Sequence, residues 1–190
     1  MIKIVHRINT IGQLKTVPTE YGIELDIRYK DKGLILHHDP FINGNSFDEF
    51  LKHYHHRFII LNVKTEGVEE AVLGLMRKYN IKNYFFLDLS LPYLIKYAKK
   101  GEKNIAIRFS EYEPLEFVMK FRGLVNWLWA DCFNNLPIND KNYKTLSENF
   151  KICIVSPELQ GYSQERIKEF KKILKNKPID AVCTKNPELW

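Results

Sequence analysis

A chain of 190 residues, 45% hydrophobic and 27% charged, is long enough for one substantial core and has the balance expected of a soluble globular domain. Its 13% aromatic share excludes a disordered polymer. The net charge of +6 and pI near 9.1 admit an anionic substrate, an anionic surface or nucleic acid. No recognition helix, RNA-binding sheet or zinc-finger spacing accompanies that charge, so nucleic acid is not an expected partner.

In chain order, strand and helix patterns alternate. Ile2 to Val5 is a short apolar strand ending at His6-Arg7, and the opening MIKIVHRINTIGQ lacks the long apolar core of a signal peptide. Asn9 to Glu20 reads as a weak helix or loop broken by Pro18. Gly22 to Ile27 is a strand, followed by a short run from Leu34 that delivers His37, His38 and Asp39. Ser46 to Glu49 has the capping-box pattern and predicts a helix to about Tyr54. Phe58 to Val63 is the next strand, and apolar residues from Val68 to Tyr79 recur at helical spacing. Tyr84 to Leu87 ends at Asp88, and Ser90 caps a helix that Gly101 closes. Asn104 to Phe109 is a strand, Pro114 to Arg122 a helix, and Val125 to Ala130 a strand ending at Asp131. Asp140 to Asn149 reads as helix and Ile152 to Val155 as strand. Arg166 to Lys177 fits a helix with Ile167, Phe170, Ile173 and Leu174 buried and its lysines in water. Ile179 to Val182 is the last strand.

With the Leu34 run set aside as an excursion, eight strands alternate with helices, which predicts a parallel α/β sheet. Eight units predict a compact (β/α)8 TIM barrel in a single domain over residues 1–190, with an open doubly wound sheet as the competing arrangement. No apolar run is long enough to span a bilayer, so no transmembrane segment is expected. Cys132, Cys153 and Cys183 lack metal or redox spacing, and two of them lie in apolar runs and read as buried thiols, which points to a reducing cytoplasm without a structural disulfide. Oligomeric state has no signature in the sequence.

The polar residues follow the strands. Glu24 and Asp26 fall on one face of their strand, with Arg28 beyond them. Two carboxylates aimed together repel unless a cation lies between them. A plainer reading pairs them with Arg28 or Lys30. His6, Arg7, Lys64, Asp88, Arg108, Asp131 and Glu158 also lie at or near carboxyl ends of strands, the face on which barrel enzymes build their sites. The acids suit a hard divalent cation, and Arg7, Lys64 and Arg108 suit an anionic group such as phosphate.

These residues resemble the glycerophosphodiester phosphodiesterase family of the phosphatidylinositol-phospholipase-C-like barrels. The resemblance rests on His6-Arg7, Glu24-Leu25-Asp26, His38-Asp39-Pro40, Lys64 and Thr184 to Pro187, in the family's order along nearly the whole chain. It implies a phosphodiesterase acting on a small phosphodiester, with His6 and His38 as general acid and base. It implies Glu24 and Asp26 as ligands of a divalent cation, magnesium or calcium, and Arg7 and Lys64 as phosphate contacts. Asn62 stands at the position of the family's third acidic ligand, and Asp88, ending the neighbouring strand, or Asp131, farther round the rim, is expected to supply some of the missing charge. Ile8 replaces an expected glycine, Lys185 replaces an acid, and the substrate-binding insertion after His38-Asp39 is missing. His53, His55 and His56 read as a surface helix end rather than a zinc site, His37 as turned away from the site, and Trp127 and Trp129 as either pocket lining or filling. The competing function is a catalytically weak relative that binds a phosphorylated ligand or assists surface-glycan or lipid biosynthesis.

Overall fold

The computed structural model describes residues 1–31 and 33–190. Along the chain lie β1 (Ile2–Val5), α1 (Ile11–Thr16), β2 (Gly22–Lys30), β3 (Gly33–Leu36), β4 (Asn45–Ser46), α2 (Phe47–Leu51), β5 (Phe58–Val63), α3 (Glu69–Lys78), β6 (Tyr84–Leu87) and α4 (Leu91–Lys99). They are followed by β7 (Ala106–Phe109), α5 (Leu115–Val118), β8 (Trp127–Ala130), α6 (Tyr143–Ser147), β9 (Lys151–Val155), α7 (Arg166–Ile173) and β10 (Ala181–Thr184). Two compact units divide the chain, one of Val5–Lys96 and one of Met1–Ile4 with Tyr97–Trp190. The division falls inside α4.

In the Val5–Lys96 unit the strands run in the order β4-β3-β2-β5-β6. β5 lies parallel to β2, in register from Gly22 opposite Phe58 to Ile27 opposite Val63, and β6 lies parallel beyond it. β2 runs three residues further than its apolar alternation predicts. The extension is paired by β3, which folds back antiparallel from Ile27 opposite Leu36 to Lys30 opposite Gly33. Register stacks the residues of one sheet face into layers. Glu24, Ile60 and Phe85 form one layer, and Asp26, Asn62 and Leu87 the next toward the carboxyl ends. Ile23, Leu25, Ile27, Ile59 and Leu61 alternate onto the opposite face and are fully buried. Over Gly22–Ile27 a β2 side chain is therefore buried whichever way it points.

Local chemistry sets the helix ends here. Thr10 and Gln13 make the full capping box that opens α1, a firmer start than the sequence suggests. Ser46 caps α2 as expected, with Glu49 N–H donating to its Oγ at 3.4 Å. α2 stops at Leu51, short of Tyr54, because His53 and Tyr54 close tighter turns onto Phe50 and Leu51. The Tyr54 ring then stacks on His56, with ring centroids 5.7 Å apart. His56 is buried, not a surface residue. Its Nε2 lies 2.9 Å from the Val17 carbonyl, and burial pushes its pKa down.

In the other unit the strand order is β1-β10-β9-β8-β7, with the β7–β8, β8–β9 and β9–β10 pairs parallel. Arg108, Trp129 and Cys153 share one layer, and both Trp127 and Trp129 are buried. All three cysteines are free and buried, one more than the apolar runs predict. α6 is shorter than the expected Asp140–Asn149. Asn139 and Asn142 bond their side chains to nearby backbone N–H groups and hold residues 139–142 in a turn. α7 buries Ile167 and Phe170 and leaves its lysines exposed. The helix ends at Ile173, so that residue and Leu174 do not continue the buried stripe; Ile173 is exposed. The last strand falls two residues later than expected and carries Thr184 at its end.

Candidate active site

The densest polar cluster is in the Val5–Lys96 unit. Glu24 and Asp26 are each 1% exposed, on one face of β2. Every oxygen of the pair lies near a donor. Glu24 Oε2 accepts the Arg7 backbone N–H at 2.8 Å and lies 3.7 Å from His6 Nε2. Glu24 Oε1 accepts from Asn62 Nδ2 at 2.9 Å. Asp26 Oδ2 accepts from Asn9 Nδ2 at 2.8 Å, while Asn9 Oδ1 accepts the Asp26 backbone N–H at 2.8 Å. Arg7 Nε and Lys64 Nζ each stand 3.8 Å from an Asp26 oxygen. Arg7 takes a left-handed backbone, φ 60°, uncommon for a residue with a long side chain, and in that conformation its N–H meets Glu24.

Burial is the largest influence on Glu24, and repulsion from Asp26 is the next. Together they raise its pKa to about 7 against the bonds from Asn62 and Arg7 and the charge of Lys64. Asn62 is 7% exposed, and its Oδ1 is buried with no hydrogen-bond donor. Two same-face carboxylates and an orphaned amide oxygen are the hard oxygen donors that magnesium or calcium takes, so these residues fit a divalent cation. Asp88 does not complete a cluster of acids. Among the described residues no three His, Cys, Asp or Glu side chains come together as a metal site. Asp88, also left-handed at φ 58°, accepts from Lys64 Nζ at 3.1 Å.

His38 lies in the chain after β3. Arg28 holds it there, with Nε and Nη2 donating to the His38 carbonyl at 3.0 and 2.6 Å and Nη1 donating to the Lys64 carbonyl at 3.2 Å. Arg28 thus ties backbone to backbone instead of pairing with the acids of its own strand. His38 Nδ1 lies 2.7 Å from Asp39 Oδ1, a bond that lowers the Asp39 pKa. A cavity of about 530 Å³ opens here, lined by Arg7, Asn9, His37, His38, Asp39 and Asn45 among others. His37 therefore does not turn away from the site. Its Nδ1 accepts the Asp39 N–H at 3.0 Å.

Arg108, Asp131 and Glu158 belong to the other unit. Arg108 is ion-paired with Asp131, which also accepts from Trp129 Nε1 at 3.3 Å and Gln160 Nε2 at 2.6 Å. Burial raises the Asp131 pKa and Arg108 is the largest opposing influence. Glu158 accepts from Thr184 Oγ1 at 2.5 Å and from the Lys185 N–H at 3.0 Å, closing the Thr184–Pro187 segment onto the chain after β9.

No protein-family model matches the sequence, and no curated protein does. Solved structures do. A glycerophosphodiester phosphodiesterase from Agrobacterium tumefaciens superposes with a TM-score of 0.71 at 13% identity, over 100% of this chain and 98% of that one. A glycerophosphoryl diester phosphodiesterase from Parabacteroides distasonis gives 0.67 at 12% identity, over 99% and 84%. The chain has the glycerophosphodiester phosphodiesterase fold. That fold is an α/β TIM barrel, as the eightfold alternation predicts. A mutant tryptophan synthase α-subunit from Pyrococcus furiosus matches less well, at 0.58 and 13% identity over 98% and 88%. Among the described residues no helix is long and apolar enough to cross a membrane.

Within this glycerophosphodiester phosphodiesterase fold, two contributors escaped the sequence reading. Asn9 falls in a stretch that reads as a weak helix or loop, and Arg28 enters only the plainer reading, as one of two ion-pair partners for the acids. Asn9 carries no motif, and its partner lies 17 positions away. Arg28 serves carbonyls, which every residue has.

Proposed function

We propose that this chain is a metal-dependent phosphodiesterase acting on a small glycerophosphodiester-like or glycan- or lipid-linked phosphodiester. One observation carries the reading: a buried carboxylate pair and an orphaned amide oxygen lie beside His6, Arg7 and Lys64, with His38 on the adjoining cavity. Glu24, Asp26 and the Asn62 amide oxygen would hold magnesium or calcium, which would polarise the phosphoryl oxygens and orient a substrate hydroxyl. Arg7 and Lys64 neutralise the phosphate, Arg7 from the cavity wall.

His38 serves as general base. With Nδ1 hydrogen-bonded to the Asp39 carboxylate, Nε2 is the basic nitrogen of the ring. It takes the proton of the attacking hydroxyl as the new P–O bond forms. His6 serves as general acid and returns a proton to the leaving alcohol oxygen as the old P–O bond breaks.

The test is phosphorus NMR of a phosphodiester panel with magnesium, calcium or chelator. Turnover should need the cation and vanish in Glu24→Gln or Asp26→Asn, and His6→Ala and His38→Ala should each lower kcat by roughly 10²–10⁴. Full turnover in chelator sinks the cation, and wild-type turnover by either folded histidine variant sinks its role. The neutral Asn62 favours a second reading, a phosphate-ligand binder with weak catalysis. Calorimetric binding of a phosphomonoester without turnover of any diester would decide for it.

A further inference from the structure

The chain directly after the candidate base and its carboxylate, Pro40 to Asn43, presents its apolar side chains to water. Phe41 is 93% exposed, the most exposed large hydrophobic residue described, and Ile42 beside it is 48% exposed. Single exposed apolar residues are ordinary on protein surfaces. This pair is set apart by being held. Phe41 has φ 65°, in the left-handed region that an aromatic residue seldom occupies. Lys30, at the end of β2, donates its Nζ to the Phe41 carbonyl at 3.3 Å and to the Asn43 side-chain oxygen. One lysine thus ties down the residues on both sides of Ile42. Asn43 also lines the site cavity, so the same bonds that fix the apolar tip fix part of the cavity wall.

The charge around the tip identifies an occupant. Lys30 holds the loop, and the half-exposed Arg7 side chain stands on the wall of the same cavity. The chain as a whole carries +6. Apolar and aromatic tips among cations are the chemistry that settles into the headgroup layer of an anionic bilayer, with rings in the acyl boundary and ammonium groups at the phosphates. We propose that the Phe41–Ile42 tip seats this protein on an anionic phospholipid surface and so presents the cavity with a diester borne by an amphiphile. The class of substrate rests on the phosphodiesterase reading. The seating itself does not.

The experiment has a binding arm and a turnover arm. In chelator, the wild-type chain should sediment with vesicles of phosphatidylcholine and phosphatidylglycerol, and less with phosphatidylcholine alone. Phe41→Gly keeps the left-handed loop without strain and removes the ring. It should weaken partitioning about tenfold or more, by the apolar area lost, with unchanged thermal melting, and Phe41→Trp should restore it. Failure of the wild-type chain to partition, or equal partitioning by Phe41→Gly, overturns the proposal. In the turnover arm Phe41→Gly should slow hydrolysis of a vesicle-borne diester and leave a water-soluble short diester untouched. Equal loss on both would make Phe41 a contact of soluble substrate and overturn the seating. Ring-dependent partitioning without hydrolysis of any diester would leave the seating standing and remove the phosphodiesterase reading.

Discussion

Replacing Asn9 with alanine tests the least expected part of the site. Asn9 is 8% exposed and makes two 2.8 Å bonds to Asp26, one to the carboxylate and one from the backbone N–H. A hydrogen bond to a charged group contributes about 1.5–3 kcal/mol and a neutral one about 0.5–1.5 kcal/mol. The variant loses both and leaves a buried N–H without its partner. Asn9 also lines the cavity, so water can replace part of what is lost. The expected destabilisation is about 2–4 kcal/mol, toward the lower end. Urea unfolding in chelator, with an unchanged m value, measures it. Asn9→Asp should lose more, because it puts a third carboxylate against Asp26 in place of a donor. Calcium or magnesium should then recover more stability in Asn9→Asp than in the wild type. A loss below about 0.5 kcal/mol for Asn9→Ala, within the range of an indifferent surface change, would refute the bond geometry. Wild-type stability of Asn9→Asp in chelator would do the same.

Gly44 tests close backbone approach: a Cβ there would lie 2.2 Å from the Leu36 carbonyl oxygen and 2.8 Å from its carbon, so Gly44→Ala should lower the melting temperature markedly. At Gly33 an added Cβ meets nothing within 4 Å, and Gly33→Ala serves as the near-neutral control. Arg28→Met should lower kcat about 10- to 10²-fold through displacement of His38, with a smaller change in KM. Arg28→Lys should not rescue it, since one ammonium cannot reproduce the guanidinium fork that joins the His38 and Lys64 carbonyls. Full activity of Arg28→Lys would show that the charge, and not the fork, is what matters.

Most of the fold was legible because its signals are local. Alternation along 22–27 and the apolar run of 58–63 place β2 and β5, and register then sets Asp26 opposite Asn62. Glu24 and Asp26 are legible this way as a candidate cation pair, whereas Asn62 as a third ligand follows only from the family resemblance. Illegible parts depend on groups that leave no pattern. His56 looked like a surface residue among polar neighbours, but the Val17 carbonyl and the Tyr54 ring draw it inward. The helix expected over 140–149 gave way at its start to asparagine side chains that compete for backbone N–H groups. Asp88 was correctly placed at the end of β6, yet its partner is Lys64, because an ammonium 3.1 Å away is a stronger attraction than two like-charged acids.

That pairing bears on why the strand can carry asparagine at 62. Burying Glu24 beside Asp26 is unfavourable for their simultaneous ionisation, and the pKa of Glu24 moves up to about 7 as a result. A third acid in the Asp26 layer would deepen that repulsion before any ligand arrived. Asparagine avoids it in two ways. Its Nδ2 donates to Glu24 at 2.9 Å, and its Oδ1 stays available as a neutral oxygen donor. Lys64, two residues on along β5 and next on the same face, stands 3.8 Å from Asp26 and is itself balanced by Asp88. The carboxylate pair is thereby supported by bonds and charges of the chain itself, so the polar layer can be built during folding without a cation. On the proposed reading, a dication would enter a preformed site and compete with Lys64 for Asp26, and its binding would then be weaker than to three acids and would depend on the phosphate arriving with it.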